Sequence, residues 1–168
     1  MGSTPIRSTE IMIIKLKVFF IIIFLFFALL FVAFSIFVLH IVDDKNFEPK
    51  KICFEENCFS VELADTPQKR TQGLMFRQEL QKDNGMLFVF PKQGIYSFWM
   101  KNTLIPLDII WISQGQKVVF IKKDALPCKA DIYETINPKK EAKYVLELKT
   151  GVVEAIGLKV TDKCYFEF

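Results

Sequence analysis

From Val18 to Val42 the chain holds 25 residues with no formal charge, no glycine and no proline, and beyond them it breaks into short stretches of alternating apolar and polar residues. A helix of that length rises about 37 Å, against a hydrocarbon core of about 30 Å, so the run is long enough to span with modest tilt. It has no polar face, which argues against a helix packed in a soluble core and for a single transmembrane anchor over residues 18–42. A cleaved signal peptide is the competing reading. The run exceeds the usual h-region of roughly 7 to 15 residues, and Ala33-Phe34-Ser35 is a poor cleavage site placed in its middle. Lys15 and Lys17 directly precede the run and Asp43 and Asp44 follow it, although Lys45, Lys50 and Lys51 level the wider count. The expected order is a cytoplasmic basic segment (1–17), the anchor (18–42), a charged tether containing Pro49 (43–51) and an exported domain (52–168) on the periplasmic or extracellular side.

Downstream of the anchor the periodicity switches to two. Phe59, Val61 and Leu63 alternate along Cys58 to Ala64, which predicts a strand. Thr66-Pro67 supplies an N-cap and first position for a short helix running towards Gly73. Gly85 to Phe90, Ile95 to Met100, Leu107 to Ser113 and Val118 to Lys122 are further β-rich stretches, the last two joined as a hairpin through Gln114-Gly115-Gln116. An irregular stretch from Asp124 to Lys140 precedes a strand from Tyr144 to Leu148. A helical turn from Gly151 to Ile156 stops at Gly157, before a final strand from Cys164 to Phe168. About seven short strands at this spacing with two small helices predict a mainly β fold, an antiparallel β-sandwich or barrel, behind one N-terminal transmembrane helix.

Charge and composition narrow the chemistry. From Asp43 onward there are 19 Lys and Arg against 18 Asp and Glu, so the domain has no basic excess for nucleic acid. The only histidine, His40, lies inside the apolar run, which removes Ser-His and Cys-His nucleophile pairs and His-ligated zinc from the exported part. No glycine-rich phosphate loop is present, and neither a cofactor nor a metal is expected.

Cys53, Cys58, Cys128 and Cys164 all follow the apolar run, where an exported domain meets an oxidising environment. With Glu55-Glu56 as a two-residue loop, Cys53 faces Cys58 directly across a hairpin, at about the Cβ separation a disulfide needs. By elimination Cys128 would pair with Cys164. A four-thiolate metal site is the rival reading, but the spacing lacks any Cys-x-x-Cys pair.

The densest polar and aromatic cluster is Phe98-Trp99-Met100-Lys101-Asn102-Thr103-Leu104-Ile105-Pro106-Leu107-Asp108. Together with Gly73-Leu74-Met75-Phe76-Arg77, Gly85-Met86-Leu87-Phe88 and Tyr144-Val145-Leu146-Glu147, it resembles the domain of unknown function 192 family over Phe59 to Phe168. Tyr133 stands where some relatives carry a second cysteine, near Pro127-Cys128 and Asp131, and Thr161-Asp162 replaces the usual Gly-Asp. The resemblance implies a compact, mostly antiparallel β-fold in an exported, often membrane-tethered location, and no established activity.

Read from the residues themselves, Arg77, Trp99, Lys101, Asn102, Thr103 and Asp108 form the expected binding or organising centre. Trp99 offers a broad apolar face, Lys101 and Asn102 offer donors, and Asp108 is the expected partner of Arg77, because charges bordering apolar strands are usually paired when buried. The favoured function is a membrane-tethered binding or accessory module of the cell envelope whose partner is an envelope protein or glycan. The alternative is a hydrolase of envelope glycans using Asp108 and Glu147 as acid and base, a chemistry that needs neither histidine nor metal.

Overall fold

A computed structural model describes residues 8–43, 50–128 and 135–168 of the chain, which divides into two compact units, residues 1–47 and 48–168. The described residues of the first unit form one helix, α1 (Ser8–Asp43). Between Leu16 and Phe34 its Phe and Leu side chains are exposed on every side, as at Phe24, Leu29 and Phe31, because a uniformly apolar stretch of helix has no preferred face to bury. Within it Lys15–Ser35 has a mean hydropathy of 3.1 and is long and apolar enough to cross a membrane. Most of the expected tether, residues 44–49, lies outside the described residues.

The second unit runs β1 (Lys51–Phe54), β2 (Asn57–Ala64), α2 (Pro67–Gln72), β3 (Asn84–Gly94), β4 (Phe98–Trp99), β5 (Leu107–Ile112), β6 (Val118–Ala125), β7 (Thr135–Ile136), β8 (Ala142–Lys149), α3 (Val152–Ala155) and β9 (Tyr165–Glu167). Among the described residues, seven strands form one sheet in the order β6-β5-β8-β3-β2-β1-β9, curled into a half-barrel, and β4 pairs with β7 beside it. The mainly β class holds, and the choice between sandwich and barrel resolves to a single curled sheet. All neighbours are antiparallel except β2 and β3, which run parallel because α2 carries the chain across between them.

The register assigns each side chain a face. On one side stand Met86, Phe88, Ile109, Trp111 and Val145, and on the other Leu87, Ile110, Ile112, Leu146 and Leu148. Every residue of β5 is buried, as are the central residues of β8, so both faces of the sheet's middle are covered. That is why Ile109 to Ile112 reads as an unbroken apolar run rather than an alternation. Burying a side chain of that size stabilises the fold by about 1.5 to 3 kcal/mol.

The β1–β2 hairpin has the expected register, with Phe54 opposite Asn57 and Cys53 joined by a disulfide to Cys58. Glu55 turns the loop at a φ of 52°. Cys128 and Cys164 are not joined; both remain thiols. Cys128 packs against the core on the Phe88 side, whereas Cys164 lies near Tyr144, which belongs with Ile112 to the opposite face. The sheet separates them, and elimination along the sequence has no access to that. Burial pushes the Cys164 thiol up to about 12.

The expected strand Ile95 to Met100 contracts to the two residues of β4. Tyr96 stacks on Phe90 with ring centroids 3.6 Å apart, and its carbonyl accepts a 2.8 Å hydrogen bond from Trp111 Nε1 rather than from a neighbouring strand. β7 falls in the stretch expected to be irregular. Asp131 and Tyr133 lie outside the described residues.

Candidate functional site

The site begins with the short crossover helix. Thr66 caps α2 by accepting the Lys69 amide at 3.2 Å, Pro67 supplies the fixed first φ, and Gly73 ends the helix at a φ of 47°. Gly73 is required twice over. Beyond its backbone angle, a Cβ there would meet Phe88 Cζ at 3.1 Å and Glu147 Oε2 at 4.0 Å, so the helix end sits directly over both residues. Arg70 ties α2 to the sheet: its Nη1 donates to the carbonyls of Asp65 and Val89 at 2.6 and 2.8 Å, and its guanidinium lies 5.3 Å from the Phe90 ring centroid.

Beneath α2 opens a pocket of about 410 Å³. Phe88, Phe90, Tyr96, Phe98 and Trp99 line it together with Leu74 and Thr103, and Glu147 of β8 lies among them. The rings brace one another, Phe98 meeting Phe88 at 4.9 Å and Trp111 at 5.4 Å edge to face. Glu147 stands opposite Met86 on one neighbouring strand and Ile109 on the other, so its carboxyl rises from an apolar stretch of sheet. It is 5% exposed, and among the described residues its Oε2 has no hydrogen-bond partner. Burial alone pushes its pKa up to about 8, so near neutrality the carboxyl holds its proton. Leaving a buried polar atom unmatched costs about 1 to 3 kcal/mol, a cost that native folds rarely carry without a functional reason.

Of the residues singled out from sequence, Trp99 and Thr103 line this pocket. Lys101 stands at its edge, with Nζ 5.7 Å from the Trp99 ring centroid. Asn102 serves the backbone: it takes a φ of 56°, and its carbonyl accepts the Phe76 amide at 2.8 Å. Arg77 does not pair with Asp108. Both of its terminal nitrogens bind the Glu62 carboxylate, Nη1 donating to Oε1 at 2.6 Å and Nη2 to Oε2, in a largely exposed pair on β2. Asp108, 1% exposed, accepts instead from two backbone amides, Asp124 at 2.9 Å and Val153 at 2.9 Å. These bonds lie on the sheet face away from the pocket, since Leu148 is the residue opposite Asp108 whereas Ile109 is opposite Glu147. Asp108 and Glu147 therefore share no cleft, and the paired-carboxylate chemistry of a glycan hydrolase has no geometric basis here.

Arg70, Tyr96 and the Phe88–Phe90 and Tyr96–Phe98 aromatic pairs escaped the sequence reading as site residues. For Phe88 and Phe90 the signal is the spacing, since residues two apart on β3 share a face; Tyr96 lies outside any strand and carried no such signal. As for metals, among the described residues Cys53, Cys58 and Glu167 come within 4.8 Å of one another, but both sulfurs are consumed by the disulfide.

The segments quoted from the sequence converge on this pocket: Gly73, Leu74, Phe88, Phe98, Trp99, Thr103 and Glu147 all line it. The family model described as an uncharacterized ACR, the domain of unknown function 192, matches residues 51–166. The chain belongs to this family. A UPF0127 protein of Thermococcus kodakarensis is 30% identical over 107 residues, 61% of each chain, and one of Pyrococcus furiosus is 29% identical over 108 residues, 61% of this chain and 83% of its own. This chain thus spans about three-fifths of the length of the first of these relatives. A solved structure of a Novosphingobium aromaticivorans protein of unknown function matches with a TM-score of 0.63 at 33% identity, covering 70% of this chain and 83% of that one. A Sinorhizobium meliloti protein, solved as a candidate transcription regulator, matches at the same TM-score of 0.63 and 33% identity, covering 69% of this chain and 90% of that one.

Proposed function

We propose that this member of the family is a membrane-tethered binding module of the cell envelope and that its ligand enters the aromatic pocket above Glu147. The observation that carries the reading is the Glu147 carboxyl, buried with Oε2 unpartnered in a pocket of about 410 Å³, inside the volume range of small-molecule sites. A fold that needed this position only for packing would be more stable with an apolar residue there, so the unmatched oxygen is best accounted for by a partner that arrives from outside. Tethering is supported by α1, apolar on all sides across Lys15–Ser35, and an exported location by the Cys53–Cys58 disulfide, which persists in oxidising compartments. Lys15 and Lys17 before the span favour a cytoplasmic N-terminus.

The test is a fragment screen by ligand-observed NMR on the full chain in nonionic micelles, repeated with Ser97→Trp. Ser97 is an exposed residue on the pocket lining, and a tryptophan there fills the mouth. Fragments that bind the wild type and are displaced from the variant support the reading. A pocket that takes none of them overturns it.

A further inference from the structure

We infer that the pocket accepts a small organic cation, an alkyl- or arylammonium group held among the aromatic rings with an N–H directed at Glu147 Oε2. The inference rests on the pocket being the ligand site and specifies what fills it.

An acceptor without a donor is what the site presents, and two ligand chemistries could supply the donor: a hydroxyl or an ammonium. Among the described residues no ion pair involves Glu147 either. Arg70 lines the same pocket, yet it is fixed to the carbonyls of Asp65 and Val89 and does not hold Glu147 ionised; burial alone sets that residue's protonation. A hydroxyl would satisfy the oxygen of the neutral carboxyl but could not pair with the ionised form that exists at higher pH. An ammonium answers both needs. The walls favour the same choice, because aromatic faces attract cations, and the fold already places one cation against each of two of these rings, Arg70 at Phe90 and Lys101 at Trp99.

The other charged or titratable groups described around Glu147 are engaged elsewhere. Tyr96 shares the pocket but its hydroxyl donates to the Lys92 carbonyl at 2.7 Å, the Arg77–Glu62 pair is closed on itself above β2, and Lys122 is an exposed residue opposite Ile109 on the strand beyond β5. Near neutrality the empty pocket holds a protonated Glu147, so seating an ammonium releases that proton to solvent: protonated protein plus ammonium gives the ion-paired complex plus one proton. Affinity for a cation must then rise with pH until Glu147 is ionised without help.

The probe is cyclohexylammonium, which keeps its charge up to about pH 10 as lysine does, compared with the neutral cyclohexanol of nearly the same shape. Calorimetry on the full chain in nonionic micelles should find the cation binding about tenfold more tightly per pH unit up to about pH 8 and levelling off above. Cyclohexanol should bind at least about tenfold more weakly on that plateau, with no pH trend, and Glu147→Gln should lower cation affinity to the level of the alcohol. The wild-type pH profile needs no variant to fold. A flat profile, or cyclohexanol binding as tightly as the cation, overturns the cation inference while leaving the pocket a ligand site. If neither probe binds and the fragment screen also finds nothing, both readings fall.

Discussion

The amide of Val153 donates to Asp108 Oδ2 at 2.9 Å, so a buried carboxylate on β5 fastens the start of α3 to the sheet. Its Oδ1 takes the Asp124 amide at the same distance, and together the two bonds join β5, β6 and α3. Asp108→Asn keeps one acceptor oxygen but turns an NH2 group towards the other amide, leaving a buried donor facing a donor. The expected loss is about 2 to 3 kcal/mol in denaturant unfolding. Arg77→Ala should cost at most about 1 kcal/mol, because its pair with Glu62 is largely exposed. Equal losses from the two substitutions would contradict this division.

Glu147 makes stability depend on pH. Its carboxyl titrates near 4.5 when unfolded and at about 8 when folded. Below the first value both states carry the proton and nothing is lost. Between the two, folding must retain a proton that the unfolded chain releases, so stability falls as pH rises, by at most about 1.4 kcal/mol per unit, and stops falling above about 8. Glu147→Gln should remove that slope. Thermal melts from acid to mildly alkaline pH check it, and parallel curves for the two proteins would refute the assignment.

Two of the four cysteines should react with a thiol reagent without prior reduction. Cys128, half-buried, should be modified first. Cys164, buried and with its pKa pushed up to about 12, should react only on unfolding. Mass mapping that finds Cys128 joined to Cys164 in the native protein would contradict the fold described here.

Gly73→Ala should destabilise by about 1 to 3 kcal/mol, since the new methyl meets a left-handed φ and the Phe88 ring together. Urea unfolding checks the magnitude, and a neutral result would mean that α2 does not sit as closely over the pocket as its end requires.

A reporter that fluoresces only in the cytoplasm, fused after Phe168, should stay dark if residues 48–168 are exported. A bright fusion reverses the proposed orientation.

The parts of the fold that were legible in the sequence are those fixed by near neighbours. A two-residue loop sets the register of the Cys53–Cys58 hairpin, and Thr66-Pro67 with Gly73 brackets α2, because caps and turns act over three or four residues. Partnerships between distant segments were not legible. Alternation in Phe59 to Leu63 reads the same whether the next strand runs parallel or antiparallel, so the β2–β3 pairing left no mark. Arg77 found Glu62, a residue one strand away, rather than Asp108, and Asp108 found backbone amides, which every residue carries and no composition reveals. Glu147 was visible as a candidate acid, but its lack of a partner depends on Met86 and Ile109 standing on either side of it, a fact of sheet order.

The hairpin disulfide also has a mechanical meaning. Lys51 begins the first strand after α1 along the chain, so any tension transmitted from the N-terminal side reaches β1 before the rest of the sheet. β1 is held on one flank by the three residues of β9 and on the other by β2. With Cys53 bonded to Cys58, a pull on β1 passes through a covalent bond into β2, and from there into the wider sheet that carries the pocket. The strand under load cannot peel away alone, and the domain resists unravelling from its N-terminal side while its thiols elsewhere stay unlinked.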